Sequence, residues 1–167
     1  YRDILVNGMV LDEEAYGPKA VSRGDGSTRF VTLRNLTWEK CSYSVRLDSA
    51  IGLAEAEGPI ELRRLHPHER VIGEFKYGDT IDVEVLPFRS CLLMATYSSS
   101  DLIGVEGCDY EIVRDVPDRP VTLRLLGMPG AAADVKLRAG TREYSSAVLD
   151  GVECGLEDWD VERALDP

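Results

Sequence analysis

Alternation with a period of two is the pattern that most limits what this chain can fold into. Val31 and Leu33 alternate with Thr32 and Arg34, Tyr43, Val45 and Leu47 with Ser44 and Arg46, and Ile81, Val83 and Val85 with Asp82 and Glu84. Successive side chains of a strand point to opposite faces, so each run carries one dry face and one wet face. Ile60, Leu62 and Leu65 form a further run with arginines between them. Cys91-Leu92-Leu93-Met94-Ala95 is apolar on both sides, which predicts a central strand covered on both faces. Later candidate strands are 110–113, 121–126, 135–137 and 144–149.

Turn chemistry sits where these runs stop. Gly24-Asp25-Gly26-Ser27, His66-Pro67-His68, Tyr77-Gly78-Asp79, Met128-Pro129-Gly130 and Asp150-Gly151 each supply a residue able to take φ > 0 or a fixed proline φ. Short strands between such turns predict an all-β fold, an antiparallel β-sandwich with at most one or two short helical turns. The helical candidates are 47–56 and the acidic stretch 156–165. A polar break at Ser98-Ser99-Ser100-Asp101 divides the chain. Residues 1–97 read as the sandwich proper, 98–150 as strands that complete its second sheet or start an adjacent β-module, and 151–167 as an acidic C-terminal tail or short helix.

A chain of 167 residues is long enough to bury a real core. Its 30 acidic against 19 basic residues give a formal charge of −11, which repels nucleic acid and anionic lipid surfaces alike. No apolar stretch reaches the length of a membrane span. The partners expected are therefore neither nucleic acid nor membrane. The chain opens at Tyr1 with no basic, apolar leader and stops at Leu165-Asp166-Pro167, which reads as a piece of a longer polypeptide. Its compartment, secreted or cytoplasmic, stays open.

The order of Ala15-Tyr16-Gly17, Phe30 to Asn35, Tyr43 to Leu47, and Leu86-Pro87-Phe88 ahead of Cys91 to Ala95 resembles one family domain. It is similar to the C-terminal β-sandwich that follows the catalytic barrel in the α-galactosidase-like clan of bacterial glycoside hydrolases. There a Tyr-Gly pair leads out of the barrel into a strand running T-L-R-N-P, and a late strand closes on L-x-P-F. Leu36 stands where that family has proline. The resemblance implies a non-catalytic accessory domain that packs against and stabilises the catalytic domain of the same polypeptide, and it carries over no catalytic residue.

Candidates for chemistry are few. Asp82 and Glu84, two apart on a strand, place their carboxylates about 7 Å apart, inside the roughly 6.5–9.5 Å window of an inverting glycosidase pair. Acids on the wet face of an alternating strand are the default pattern, however, and that reading is preferred. Asp12, Glu13 and Glu14, and Glu157, Asp158 and Asp160, lack the D-x-[DN]-x-[DN]-G spacing of a calcium loop. His66 and His68 are two ligands at most, and no C-x-x-C accompanies Cys41, Cys91, Cys108 and Cys154, so no metal is expected. Cys41 and Cys91 fall in step with apolar neighbours and read as buried thiols. The serines at 98–100 have no G-x-S-x-G context and no evident base. With no P-loop and no G-x-G-x-x-G, no cofactor is expected. Asn35-Leu36-Thr37 matches a glycosylation sequon. Trp38, Tyr77 and Trp159 are the candidate sugar-stacking residues of an alternative reading, an independent carbohydrate-binding module with a polysaccharide as partner.

Overall fold

The computed structural model describes residues 6–98, 102–140, 142–154 and 159–161. The fold is all-β, with a single helix of four residues among the described residues. The chain divides into two compact units, one comprising Tyr1–Pro67 and Gly73–Ser99, the other His68–Ile72 and Ser100–Pro167. The segment 68–72, which reads in the sequence as part of the sandwich, belongs to the second.

The strands of the first unit are β1 (Gly8–Val10), β2 (Val21–Gly24), β3 (Thr28–Arg34), β4 (Cys41–Arg46), β5 (Ile60–His66), the second half of β6 (Arg70–Phe75), β7 (Thr80–Val85) and β8 (Ser90–Thr96). One sheet has the order β1-β2-β3-β8-β5-β6, and β4 pairs with β7 in a separate two-stranded sheet. β8 lies between β3 and β5, with Val31 opposite Leu93 and Leu33 opposite Cys91. Val31, Leu33, Leu62, Leu93 and Ala95 are buried on one face, and Thr28, Met94 and Thr96 on the other. Apolar residues on both sides of β8 have the predicted consequence. Thr28 and Thr96, directly opposite, share a hydrogen bond of 2.7 Å between their hydroxyls.

β5 departs from the half-buried strand its arginines predict. Glu61 and Arg63 point away from Ile60 and Leu62, yet both are buried and paired with each other. Alternation assigns residues to faces and is silent on whether a face is covered. The helix, α1 (Glu13–Tyr16), accounts for the first acidic cluster: the Asp12 carboxylate caps it by accepting from Ala15 N–H at 3.3 Å, and Glu13 accepts from Lys19 N–H at 3.2 Å. The helical turn expected within 47–56 is absent. There Asp48 accepts from Ala50 N–H at 2.7 Å, and its carbonyl takes Ile51 N–H and Leu53 N–H, an Asx-type turn that buries Ile51 and Leu53.

The second unit holds β9 (Gly104–Glu106), β10 (Asp109–Arg114), β11 (Thr122–Leu126), β12 (Ala133–Arg138), β13 (Ala147–Leu149), β14 (Val152–Cys154) and β15 (Trp159–Val161). β12 pairs antiparallel with β9 and β15, and β10 with β11. The helical reading of 156–165 therefore gives way to a strand at Trp159–Val161. β13 and β14 meet across Asp150 and Gly151, both at positive φ (49° and 83°), the primed turn that Asp-Gly favours. Val71, Val105, Cys108, Tyr110 and Val135 form the core. The segment 68–72 is fastened to it three ways: Tyr110 N–H donates to Glu69 C=O at 2.8 Å, Arg70 donates to Gly107 C=O at 2.7 Å, and Val71 pairs in parallel with Glu106.

Candidate functional site

Two loops at one end of the first unit, 35–40 after β3 and 86–89 after β7, are joined at Asn35, by its side chain to the end of β7 and by its backbone to Arg89. Asn35 is fully buried. Its Nδ2 donates to Glu39 C=O at 2.7 Å and Val85 C=O at 2.9 Å, while its Oδ1 accepts from Thr37 N–H and the Thr37 hydroxyl, both at 2.8 Å. That uses the full bonding capacity of an amide. The Asn35 N–H donates to Arg89 C=O at 2.9 Å, and Tyr43 OH donates to Arg34 C=O at 2.9 Å. Burial pushes the Tyr43 phenol up, and the neighbouring Cys41 adds to this.

What these knitted loops present is apolar. Leu36, Trp38, Leu86 and Phe88 are 58%, 86%, 57% and 52% exposed. Trp38 and Phe88 meet edge to face, centroids 4.7 Å apart and planes at 81°. Phe88 sits at φ 54°, in the left-handed region that a bulky residue adopts only when its surroundings hold it there. The polar neighbours are the Lys40–Glu84 pair, 2.6 Å apart, whose partners are both more than half exposed and contribute little to stability.

Of the aromatics proposed from sequence, Trp38 and Tyr77 are both in the first unit and stand apart. Tyr77 precedes β7 and Trp38 adjoins its far end, about 20 Å away for six extended residues. The Tyr77 hydroxyl accepts from Ser49 N–H at 3.2 Å. Trp159 lies in β15 opposite Val135, and its side chain falls outside the described residues. Phe88, which does meet Trp38, and the exposed Leu36 and Leu86 on the same two loops were read in the sequence as parts of a strand motif and not as binding residues. The available signal was apolar residues inside turns.

Asp82 and Glu84 project from the exposed face of β7 beside Ser42, Ser44 and Arg46. The Ser44 hydroxyl donates to Asp82 at 2.6 Å and Lys40 pairs with Glu84, so each acid has its own surface partner. His66 and His68 are exposed. No group of three His, Cys, Asp or Glu able to hold a metal occurs among the described residues; Glu157 and Asp158 and the side chain of Asp160 lie outside them. Ser98 is exposed and its N–H donates to Thr96 Oγ1 at 3.0 Å, while Ser99 and Ser100 fall outside the description. Asn35 cannot serve as a glycan acceptor in the folded chain, since its amide is buried and donates to two carbonyls.

Cys91 is buried as expected, but Cys41, at the open end of β4, is half-exposed with its Sγ 3.6 Å from Thr37 Oγ1. Burial pushes the Cys91 thiol up to about 11 and raises that of Cys108 as well. Peptide mapping after iodoacetamide treatment at pH 8 is expected to show Cys41 alkylated well ahead of Cys91 and Cys108. The raised Cys91 value has a signed consequence for stability. Its contribution is complete below the unfolded thiol's value of about 8.5 and declines as pH rises from there toward 11.

No family model matches the chain, and neither a curated protein nor a solved structure matches it.

Proposed function

We propose that this chain is a non-catalytic accessory β-domain of a larger glycoside hydrolase-like protein, and that it works by contact, seating the Leu36–Trp38–Leu86–Phe88 tip on the catalytic domain. The observation that carries this reading is the tip itself, four large apolar side chains held in water by a fully satisfied buried asparagine. Exposed apolar side chains gathered on neighbouring loops mark interaction sites, and aromatic anchors dominate protein interfaces. The two leucines favour a protein surface over a sugar, because a sugar ring stacks on aromatic faces and asks for polar groups around them. The left-handed Phe88 supports the same reading, since local strain collects at functional positions.

The test is to express the chain with the coding sequence that precedes Tyr1 and follow amide exchange at 36–40 and 86–89. Protection of both segments in the longer protein, lost in the Trp38→Ser/Phe88→Ser double variant, is expected. An upstream sequence with no barrel pattern, or a tip equally open in both proteins, sinks the reading. Phe88→Gly separates contact from folding. It removes the ring but relieves the backbone, so urea denaturation should show stability unchanged or raised by about 1 kcal/mol, while tip protection is lost.

The exposed indole of Trp38 favours one second reading, a carbohydrate-binding surface centred on that residue alone. Calorimetric titration with a polysaccharide panel decides it: heat abolished by Trp38→Ala sustains it, and absence of heat throughout ends it.

A further inference from the structure

The second unit holds a cavity of about 580 Å³ that opens to solvent on one side. Val105 of β9, Val135 and Leu137 of β12, Leu123 and Leu125 of β11, and Leu149 of β13 supply its apolar lining. Leu123, Leu125 and Leu137 pack against the core of this unit and yet remain half-buried, so the cavity lies where that core stops short of closing. Protein interiors are packed to the density of organic crystals. A gap of this volume falls instead within the roughly 300–1,000 Å³ of small-molecule sites.

Water is a poor occupant. At about 30 Å³ per molecule the space would take about 20 waters, each wanting two to four polar partners. The polar lining is confined to Thr122 and the run Glu143–Ser146. Thr122, Glu143, Ser145 and Ser146 are all exposed, which places these groups at the rim; the half-buried Tyr144 carries its hydroxyl out of contact with water.

Charge at the rim is balanced. Arg142 grips Asp115 through both terminal guanidinium nitrogens, the longer contact being 3.0 Å. Arg114 donates to Pro120 C=O at 3.2 Å and to the Thr122 hydroxyl at 3.3 Å. Glu143 is the one charged residue of the lining, and Arg114, bonded to the lining Thr122, offsets it, so neither an anionic nor a cationic head group is favoured by field alone.

The geometry points to this cavity as a binding site for an uncharged amphiphile, its aliphatic or fused-ring body against β9, β11 and β12 and its hydroxyl-bearing end among Thr122, Ser145 and Ser146. Shape and apolar contact supply the affinity, and the rim hydroxyls orient the ligand. This site is independent of the tip on the first unit.

The test is titration of the whole chain with the neutral fluorescent probe N-phenyl-1-naphthylamine, followed by displacement with 1-dodecanol. Saturable one-site binding is expected, displaced by the alcohol, and weakened at least about tenfold by Ala147→Trp, which puts an indole into the cavity. The Trp38→Ser/Phe88→Ser variant should bind as the parent does. Amide exchange on the unmodified protein provides a readout that does not depend on a variant folding: dodecanol should protect β9, β11, β12 and β13. Lack of saturable binding, loss of binding in the tip variant, or protection elsewhere overturns the proposal. So does displacement by dodecanoate or dodecyltrimethylammonium at least about tenfold stronger than by the alcohol, which would mean a charged ligand.

Discussion

Asn35→Ala is expected to cost about 3 kcal/mol in urea denaturation, because it strands several polar groups at once. The carbonyl of Val85, a buried residue, loses its side-chain donor and Thr37 N–H loses its acceptor, while the Glu39 carbonyl and the Thr37 hydroxyl each lose one partner and keep each other at 3.0 Å. Thr37 and Glu39 are exposed and water can replace part of what they lose, which keeps the total below the sum of separate deletions. The change should reach the tip as well: with the side-chain tie from the 35–40 loop to the end of β7 lost and only the Asn35–Arg89 backbone bond left, the Trp38–Phe88 contact loosens and amide exchange accelerates on both loops. Asn35→Asp preserves shape and is expected to be worse than alanine at pH 7, since a carboxylate would face two carbonyl oxygens. That carboxyl's pKa is then raised in the folded state, so the penalty should shrink as pH falls. A cost below about 1 kcal/mol for Asn35→Ala would place the coupling of the loops in the backbone and not in this amide.

The same residue shows where reading the sequence succeeds and where it stops. That Asn35 ends a strand in a side-chain turn was legible, as were β3, β4, β7 and β8, because alternation and turn chemistry are local. That its amide reaches Val85, fifty residues on, was not. Pairing partners are chosen by the whole sheet, and the same blindness hid the burial of Glu61 and Arg63 and the removal of 68–72 to the second unit. The Leu36, Trp38, Leu86 and Phe88 tip was half legible: Trp38 was marked as exposed aromatic, while Leu86-Pro87-Phe88 read as a strand-closing motif. Apolar residues are assigned to cores by default, and only the fold reveals that these four have none beneath them. The helix at Glu13–Tyr16 was legible in retrospect, since Asp12 followed by two glutamates is a capping signature. No sequence pattern announces the cavity, which arises from leucines on strands that are distant along the chain.

Gly107→Ala should be the most damaging single methyl in the second unit. Gly107 turns the chain between β9 and β10 at φ 90°, where an L side chain is strained, and a Cβ there would sit 1.7 Å from the Asp134 carbonyl oxygen. That oxygen belongs to β12, which is paired with β9 immediately beyond, at Lys136 and Glu106. Backbone cannot swing aside as a flexible side chain does, so relief requires β12 to part from β9. The Gly107 carbonyl also accepts from Arg70, so the disturbance reaches the segment 68–72. Gly130→Ala isolates the conformational part of the cost. Gly130 has φ 75° and nothing within 4 Å of the added Cβ, so about 1 kcal/mol is expected there. Gly107→Ala should exceed about 4 kcal/mol, comparable with the roughly 4–10 kcal/mol that a unit of about 70 residues has in total. Amide exchange should therefore become fast across β9, β10 and β12. If instead Gly107→Ala and Gly130→Ala prove equally mild, the close passage of β12 over this turn is wrong, and with it the apolar wall that Val135 and Leu137 give the cavity.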